Sequence, residues 1–176
     1  KYMGDVFITR LSKFLPNEPV SNEDIELYLG MVDGKPSRAR VKILTNNKIT
    51  SRYYAMDKNG KSTHSNVQLA ARAVEGLLDN TITRDNIDLL TFGTMSPEQL
   101  LPSHTAMIHG ELACPPVEIA SISSSCASGF QALKYAWLSV KCGDKKCAVA
   151  GASEKVSTWL RSDKFEAEAE KLKHLD

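Results

Sequence analysis

No apolar run in this chain approaches the roughly 18–20 residues needed to cross a bilayer, so membrane insertion is not expected. Charge of one sign is also missing: 22 Lys+Arg stand against 21 Asp+Glu, a formal net charge of +1. With that balance, and no RNP, finger or helix-turn-helix pattern, nucleic acid is not an expected partner. The four cysteines (Cys114, Cys126, Cys142 and Cys147) form no Cys-x-x-Cys pair, and no two histidines stand beside them in a zinc pattern. No metal centre is therefore expected. Lys1 to Arg10 lacks the basic–apolar–small layout of a secretory leader, which points to free thiols in a reducing cytoplasm. There is no internal repeat and no low-complexity tract. What remains is ordinary: 176 residues, 42% hydrophobic and 24% charged. That excludes a disordered tail and a small disulfide scaffold, and it suits one globular domain with a real core.

The apolar spacing sets the element order. Val6 to Leu11 is a short β-rich run, after which Pro16 and Pro19 break the chain. Ser21-Asn22-Glu23-Asp24 reads as a helix start with Ser21 as the N-cap and an acid three residues on, and Gly30 as the stop. Leu69, Ala70, Ala73, Val74, Leu77 and Leu78 share one face of a helix over 65–79. Ile87 to Met95 is a buried strand, and Pro102-Ser103 opens a helix that Pro115-Pro116 ends. Val117 to Ile122 is the next strand. Phe130, Leu133, Ala136, Trp137 and Val140 mark a helix over 127–141, and Cys147 to Ala152 is a last, fully buried strand. This alternation predicts an α/β fold with a parallel sheet covered on both faces.

Two segments depart from the alternation. Residues 35–61 hold eight basic residues and one acid, a local charge of +7, which leaves −6 for the rest of the chain. Such a patch suits an acidic protein or the phosphates of coenzyme A, or it is a solvated loop. Residues 161–176 carry nine charges and read as an exposed helix.

The chemistry concentrates at Ser123-Ser124-Ser125-Cys126-Ala127-Ser128-Gly129-Phe130. A strand runs into a turn of small residues and a helix leaves it, so Cys126 falls at a strand-to-helix elbow. Unpaired backbone N–H groups at a helix start favour a thiolate and can receive the oxyanion formed when sulfur attacks an acyl carbonyl. Ala127, Ser128 and Gly129 leave room for a substrate. The residue pattern alone leaves an activated nucleophile and an inert buried thiol both open. His104 and His109 lie five residues apart on one helix, do not share a face, and read as surface or interface residues. His64 and His174 sit in polar context. Cys114, Cys142 and Cys147 read as small buried or half-buried side chains.

The elbow resembles that of the thiolase-fold condensing enzymes, and the chain resembles the N-terminal half of a β-ketoacyl-acyl-carrier-protein synthase III. Phe7 to Glu26 is similar to that family's opening strand, "LP" turn and helix start. Ile49-Thr50-Ser51-Arg52 resembles its "GI-x-x-R" segment, and Ile87 to Thr94 (IDLLTFGT) its central strand. Leu101-Pro102-Ser103 matches its "x-P-S" turn, and Val149 to Ser157 its "G-a-E-x-x-S" strand end. The resemblance implies a thiolase fold, an αβαβα sandwich of two similar halves that forms a homodimer, of which residues 1–176 supply the first half. It implies acyl transfer to Cys126, then decarboxylative Claisen condensation with malonyl-acyl-carrier protein, in fatty-acid or polyketide synthesis. Acyl-coenzyme A or acyl-carrier protein would be substrates, with no cofactor. Leu101 takes a position at the dimer interface that limits the partner's acyl pocket, or packs there without that role. Arg38, Arg40, Lys42 and Arg52 would dock the carrier or coenzyme A.

The elbow reads Cys-x-Ser-Gly, the form seen in degradative thiolases, so the opening segment is what favours the synthase III side. No Trp occurs in Arg40 to Lys48, where coenzyme-A-primed members stack adenine, which points to a carrier-bound donor. The family's catalytic His and Asn belong to the second half. Other readings of the same resemblance are acyl transfer to another nucleophile in secondary metabolism, and a non-catalytic partner that binds acyl carriers. An intact Cys126 argues against the latter.

Overall fold

A computed structural model of the chain describes residues 4–167, which form two compact units. The last nine residues of the expected charged helix lie outside the described residues; its described part begins with a short 3-10 turn at Ser162–Lys164.

The first unit comprises residues up to Phe14 together with Ser65–Glu154. Its centre is a three-stranded parallel sheet of β3 (Leu89–Gly93), β4 (Glu118–Ile122) and β5 (Ala148–Ala152), with β3 in the middle. The strands are in register, so that Gly93 sits level with Ile122 on one side and Ala152 on the other. β3 is buried at every position, Thr91 included, as a central parallel strand covered on both faces is. Alternate side chains point to opposite faces. Leu90 and Phe92 meet Val67, Ala70 and Val74 of α3 (Asn66–Glu75) and Ile108 and Leu112 of α4 (His104–Leu112). Each such full burial of a large aliphatic side chain is worth about 1.5–3 kcal/mol. The opposite face carries α5 (Ser128–Lys141), packed across β3 and β5. Because the chain steps from β3 to β4 and then back past β3 to β5, right-handed crossovers must put α4 and α5 on opposite faces.

Helix starts follow the local chemistry. Ser65 caps α3 in a reciprocal capping box with Gln68, and Ser103 caps α4 by accepting the Ala106 N–H at 3.4 Å. Two strand expectations are corrected. Val6 to Leu11 forms no strand: among the described residues it has no ladder partner, and Phe7, Ile8 and Leu11 are exposed. β5 is not fully buried, since it pairs with β3 on one edge only and Val149 is its one buried residue.

Helix α5 reverses the expected face. Its buried residues are Ser128, Ala132, Ala136 and Ser139, so small side chains face the sheet. Phe130 is 80% exposed, and Leu133 and Trp137 are also exposed. The large apolar stripe that identifies the helix thus points away from its own sheet.

The second unit comprises Leu15–His64 and the chain from Lys155. β1 (Val20–Ser21) pairs antiparallel with β2 (Ser51–Arg52), and α1 (Ile25–Leu29) and α2 (Arg40–Asn47) lie between them in sequence. Its small core is Val20, Tyr54 and Met56, with Tyr28 and Leu29 against it. As expected, α1 stops at Gly30, whose φ of 77° a side chain would strain. The cap position is Asp24 rather than the expected Ser21, because the helix begins at Ile25; Ser21 Oγ instead accepts the Asp24 N–H at 3.3 Å in the turn before it.

Candidate active site

The elbow after β4 is held by one buried hydroxyl. Ser128 Oγ accepts the Ser124 N–H at 2.9 Å and donates to the Ser125 carbonyl at 2.7 Å. Ser125 adopts φ 48°, the left-handed region, which turns the chain sharply just before Cys126. Gln131 adds a bond from its side-chain amide to Ser124 Oγ at 3.0 Å. Cys126 is exposed and α5 begins two residues later, at Ser128. The structure therefore places the thiol at the elbow, at the carboxyl end of the sheet, where open α/β sheets bind their ligands.

Two expectations about the elbow are revised. The N–H groups of Ala127 and Ser128 are not free oxyanion donors: they bond to the carbonyls of Ser124 (3.0 Å) and Ser125 (3.3 Å) and close the turn. Nor do Ser128 and Gly129 open space for a substrate. A Cβ on Gly129 would lie 2.8 Å from Ala152 Cβ, and a Cβ on Gly93 would lie 2.3 Å from the Ser128 carbonyl carbon. The small residues exist so that α5 can seat its first turn on the ends of β3 and β5.

Beside the elbow, at the same edge of the sheet, lies a polar network that sequence reasoning missed. Asn66, fully buried at the start of α3, donates from Nδ2 to Thr94 Oγ1 (3.0 Å), the Ser96 carbonyl (3.1 Å) and the Ser153 carbonyl (3.3 Å). Glu154 accepts the Met95 N–H at 2.7 Å, the Thr94 hydroxyl at 3.2 Å and the Ser96 hydroxyl. His104 belongs here rather than on the surface: it is 2% exposed, with Nε2 3.0 Å from Ser153 Oγ. The Ser153 hydroxyl donates onward to the Asn66 carbonyl at 3.3 Å, so Nε2 carries the imidazole proton and Nδ1 is left as a buried acceptor with no partner among the described residues. Burial holds the His104 pKa below its ordinary value, against the opposing pull of Glu98 and Glu154. The only sequence signal for this cluster is the run of small polar residues after each strand.

The remaining candidates are placed as follows. Leu101 is 85% exposed beside Leu100 in the segment leading to α4. Arg38 and Lys42 are exposed on the second unit, whereas Arg40 pairs with Glu26 at 2.9 Å and Arg52 bonds to Asn22 Oδ1 at 2.5 Å. Cys142 is exposed rather than buried, and Cys114 and Cys147 are half-buried. Burial raises the pKa of both half-buried thiols. A groove of about 670 Å³ lies at the amino ends of the strands, away from Cys126. Within it Lys145 Nζ bridges Glu118 (2.7 Å) and Asp144 (3.1 Å). Among the described residues no group of three or more His, Cys, Asp or Glu is placed to hold a metal ion, and no helix is long and apolar enough to cross a membrane.

An exposed thiol on a strand–turn–helix elbow at the carboxyl end of a three-stranded parallel sheet places the chain in the class of open α/β folds. Residues 51–174 match the thiolase N-terminal domain, and the chain belongs to that family and has the thiolase fold. It is 29% identical over 154 residues to the β-ketoacyl-acyl-carrier-protein synthase III of Chlorobaculum tepidum, covering 87% of this chain and 44% of that protein. A synthase III of Deinococcus radiodurans is 24% identical over 163 residues, covering 92% of this chain and 44% of that one. Among solved structures, AbyA1, a tetronic acid condensing enzyme, superposes with a TM-score of 0.69 at 23% identity, covering 86% of this chain and 44% of that one. The synthase III of Thermus thermophilus gives 0.64 at 23% identity, covering 82% and 41%. The chain spans less than half the length of these relatives.

Proposed function

We propose that this chain is the nucleophile-bearing half of a decarboxylating condensing enzyme of the synthase III type. The observation that carries the reading is the exposed Cys126 thiol on the braced elbow. In the first half-reaction the Cys126 thiolate attacks an acyl thioester, the donor thiol leaves, and an acyl-cysteine remains. In the second, malonyl-carrier protein loses CO₂, its carbanion attacks the acyl-cysteine carbonyl, and Cys126 leaves as thiolate from a β-ketoacyl product. A second half of the fold supplies the His and Asn for decarboxylation. The exposed Phe130, Leu133 and Trp137 stripe supports such a partner layer, because a helix of a soluble domain rarely turns its largest apolar residues to water. The complete assembly is read as an αβαβα sandwich and a homodimer in the cytoplasm, with Leu101 reaching the partner's acyl pocket.

The carrier-bound donor is the favoured substrate form. Exposed Arg38 and Lys42 support it, since among the described residues they have none of the internal pairs that occupy Arg40 and Arg52. A protein carrying both halves tests the reaction. Release of CO₂ from malonyl-carrier protein should depend on an acyl donor and vanish in Cys126→Ala. Release in that variant at the wild-type rate would exclude Cys126 as the acyl acceptor in condensation.

A further inference from the structure

The segment from Thr94 to Ser103 is an arch pinned at both ends. At its far end Ser103 Oγ accepts the Ser121 hydroxyl at 2.9 Å, and the Thr105 hydroxyl donates to the Ala120 carbonyl at 2.9 Å, tying α4 to β4. At its near end the chain is held from two sides. Asn66 binds Thr94 Oγ1 and the Ser96 carbonyl, and its own N–H donates to Glu98 at 3.1 Å. Glu154, just beyond β5, takes the Met95 N–H and the hydroxyl protons of Thr94 and Ser96. The proton count makes the carboxylate specific. Thr94 Oγ1 already accepts from Asn66 Nδ2 and from the Ser96 N–H (3.1 Å), so its single proton is left for Glu154. Three donors therefore converge on one side chain. A carboxylate, which only accepts, suits all three, whereas an amide would bring its own protons to the same place. Between the pinned ends the arch carries Leu100 and Leu101, 86% and 85% exposed.

We propose that Glu154 is a positioning residue for acyl-chain selectivity: it fixes the near end of the arch and thereby the placement of Leu100 and Leu101. The inference rests on the reading of Leu101 as a residue that limits the acyl pocket. Glu154 touches neither acyl chain nor thiol, and its effect is exerted through Met95 and Ser96. The arch's position decides how much chain the pocket admits, and in apolar pockets one methylene is worth about 10–200-fold in discrimination.

The test measures acylation rate constants of Cys126 by acetyl and octanoyl N-acetylcysteamine thioesters, in a protein carrying both halves. Glu154→Gln should change the octanoyl-to-acetyl ratio by about fivefold or more while iodoacetamide labels Cys126 at a rate within about twofold of wild type. Ser96→Ala, which removes one of the donors and keeps the carboxylate, should shift the ratio in the same direction and decides the matter if Glu154→Gln does not fold. Leu101→Ala is the reference. If it moves the ratio and neither other variant does, or if they lower both rates in equal proportion, Glu154 has no positioning role. If Leu101→Ala leaves the ratio unchanged, the pocket reading fails and this inference falls with it.

Discussion

Gly93→Ala isolates the fit on which the elbow depends. The substitution adds one Cβ at the carboxyl end of the central strand, in a conformation any residue adopts. That atom would lie 2.3 Å from the Ser128 carbonyl carbon, 2.4 Å from its oxygen and 2.7 Å from the Gly129 nitrogen. All three are backbone atoms of the first turn of α5, so no rotamer change relieves the clash. Restoring ordinary contacts of about 3.5 Å means moving the helix start by about 1 Å. Overpacking of this kind costs about 1–3 kcal/mol, a fall of roughly 2–12 °C in melting temperature. Because Cys126 rides on the same turn, a displacement of about 1 Å should also slow its acylation by up to about 10²-fold. Gly110→Ala is the control: it lies exposed in α4 with nothing within 4 Å of the added atom, so helix propensity alone should make it about 0.5–1 kcal/mol more stable. Calorimetry and acyl-enzyme mass spectrometry read both effects. Wild-type stability and acylation in Gly93→Ala would refute the close seating of α5 on β3.

Three further outcomes are expected. Ser128→Ala strips the hydroxyl that satisfies the Ser124 N–H and the Ser125 carbonyl; chemical denaturation should show a loss of about 1–3 kcal/mol, with slower acylation of Cys126. His104 has a folded-state pKa below its unfolded value near 6.5, so the unfolded chain binds its proton first and stability falls as pH drops below about 6.5. His104→Gln should flatten that slope in the range just below about pH 6.5 in thermal melts and leave the carboxylate-driven loss below about pH 4. Reversing Arg38 and Lys42 to Glu should raise KM for carrier-bound substrate, more so at low salt, and leave acylation by a small thioester unchanged; Arg40 is left in place because its Glu26 pair belongs to the fold.

Much of the fold is legible in the sequence because β3, α3 and α4 have local patterns that agree with their tertiary setting. β3 is central and buried at every position, α3 has a serine cap and one apolar face, and α4 has a serine cap directly after Pro102. Helix α5 breaks that agreement. Its strongest periodic signal, Phe130, Leu133 and Trp137, marks a face exposed in this chain, and its sheet-facing side is spelled in Ser and Ala. Periodicity finds an apolar stripe without saying what covers it. The Val6 to Leu11 run fails for a related reason, since a strand needs a partner that its own residues do not specify. At the site, Cys126 is visible as a residue between a strand and a helix. Asn66, His104 and Glu154 are not, because their role depends on three loops meeting at one sheet edge from positions up to 88 residues apart in the chain. Nor does sequence separate Arg38 and Lys42 from Arg40 and Arg52, whose guanidinium groups are claimed by Glu26 and Asn22.

The central claim is that Cys126 accepts the acyl group. A protein carrying both halves, incubated with acyl-carrier protein and no malonyl substrate, should gain the mass of one acyl group per chain. Peptide mapping should place that mass on Cys126 and on none of Cys114, Cys142 or Cys147, and hydroxylamine should remove it as a thioester. An acyl group found on another residue, or acylation undiminished in Cys126→Ala, would contradict the account.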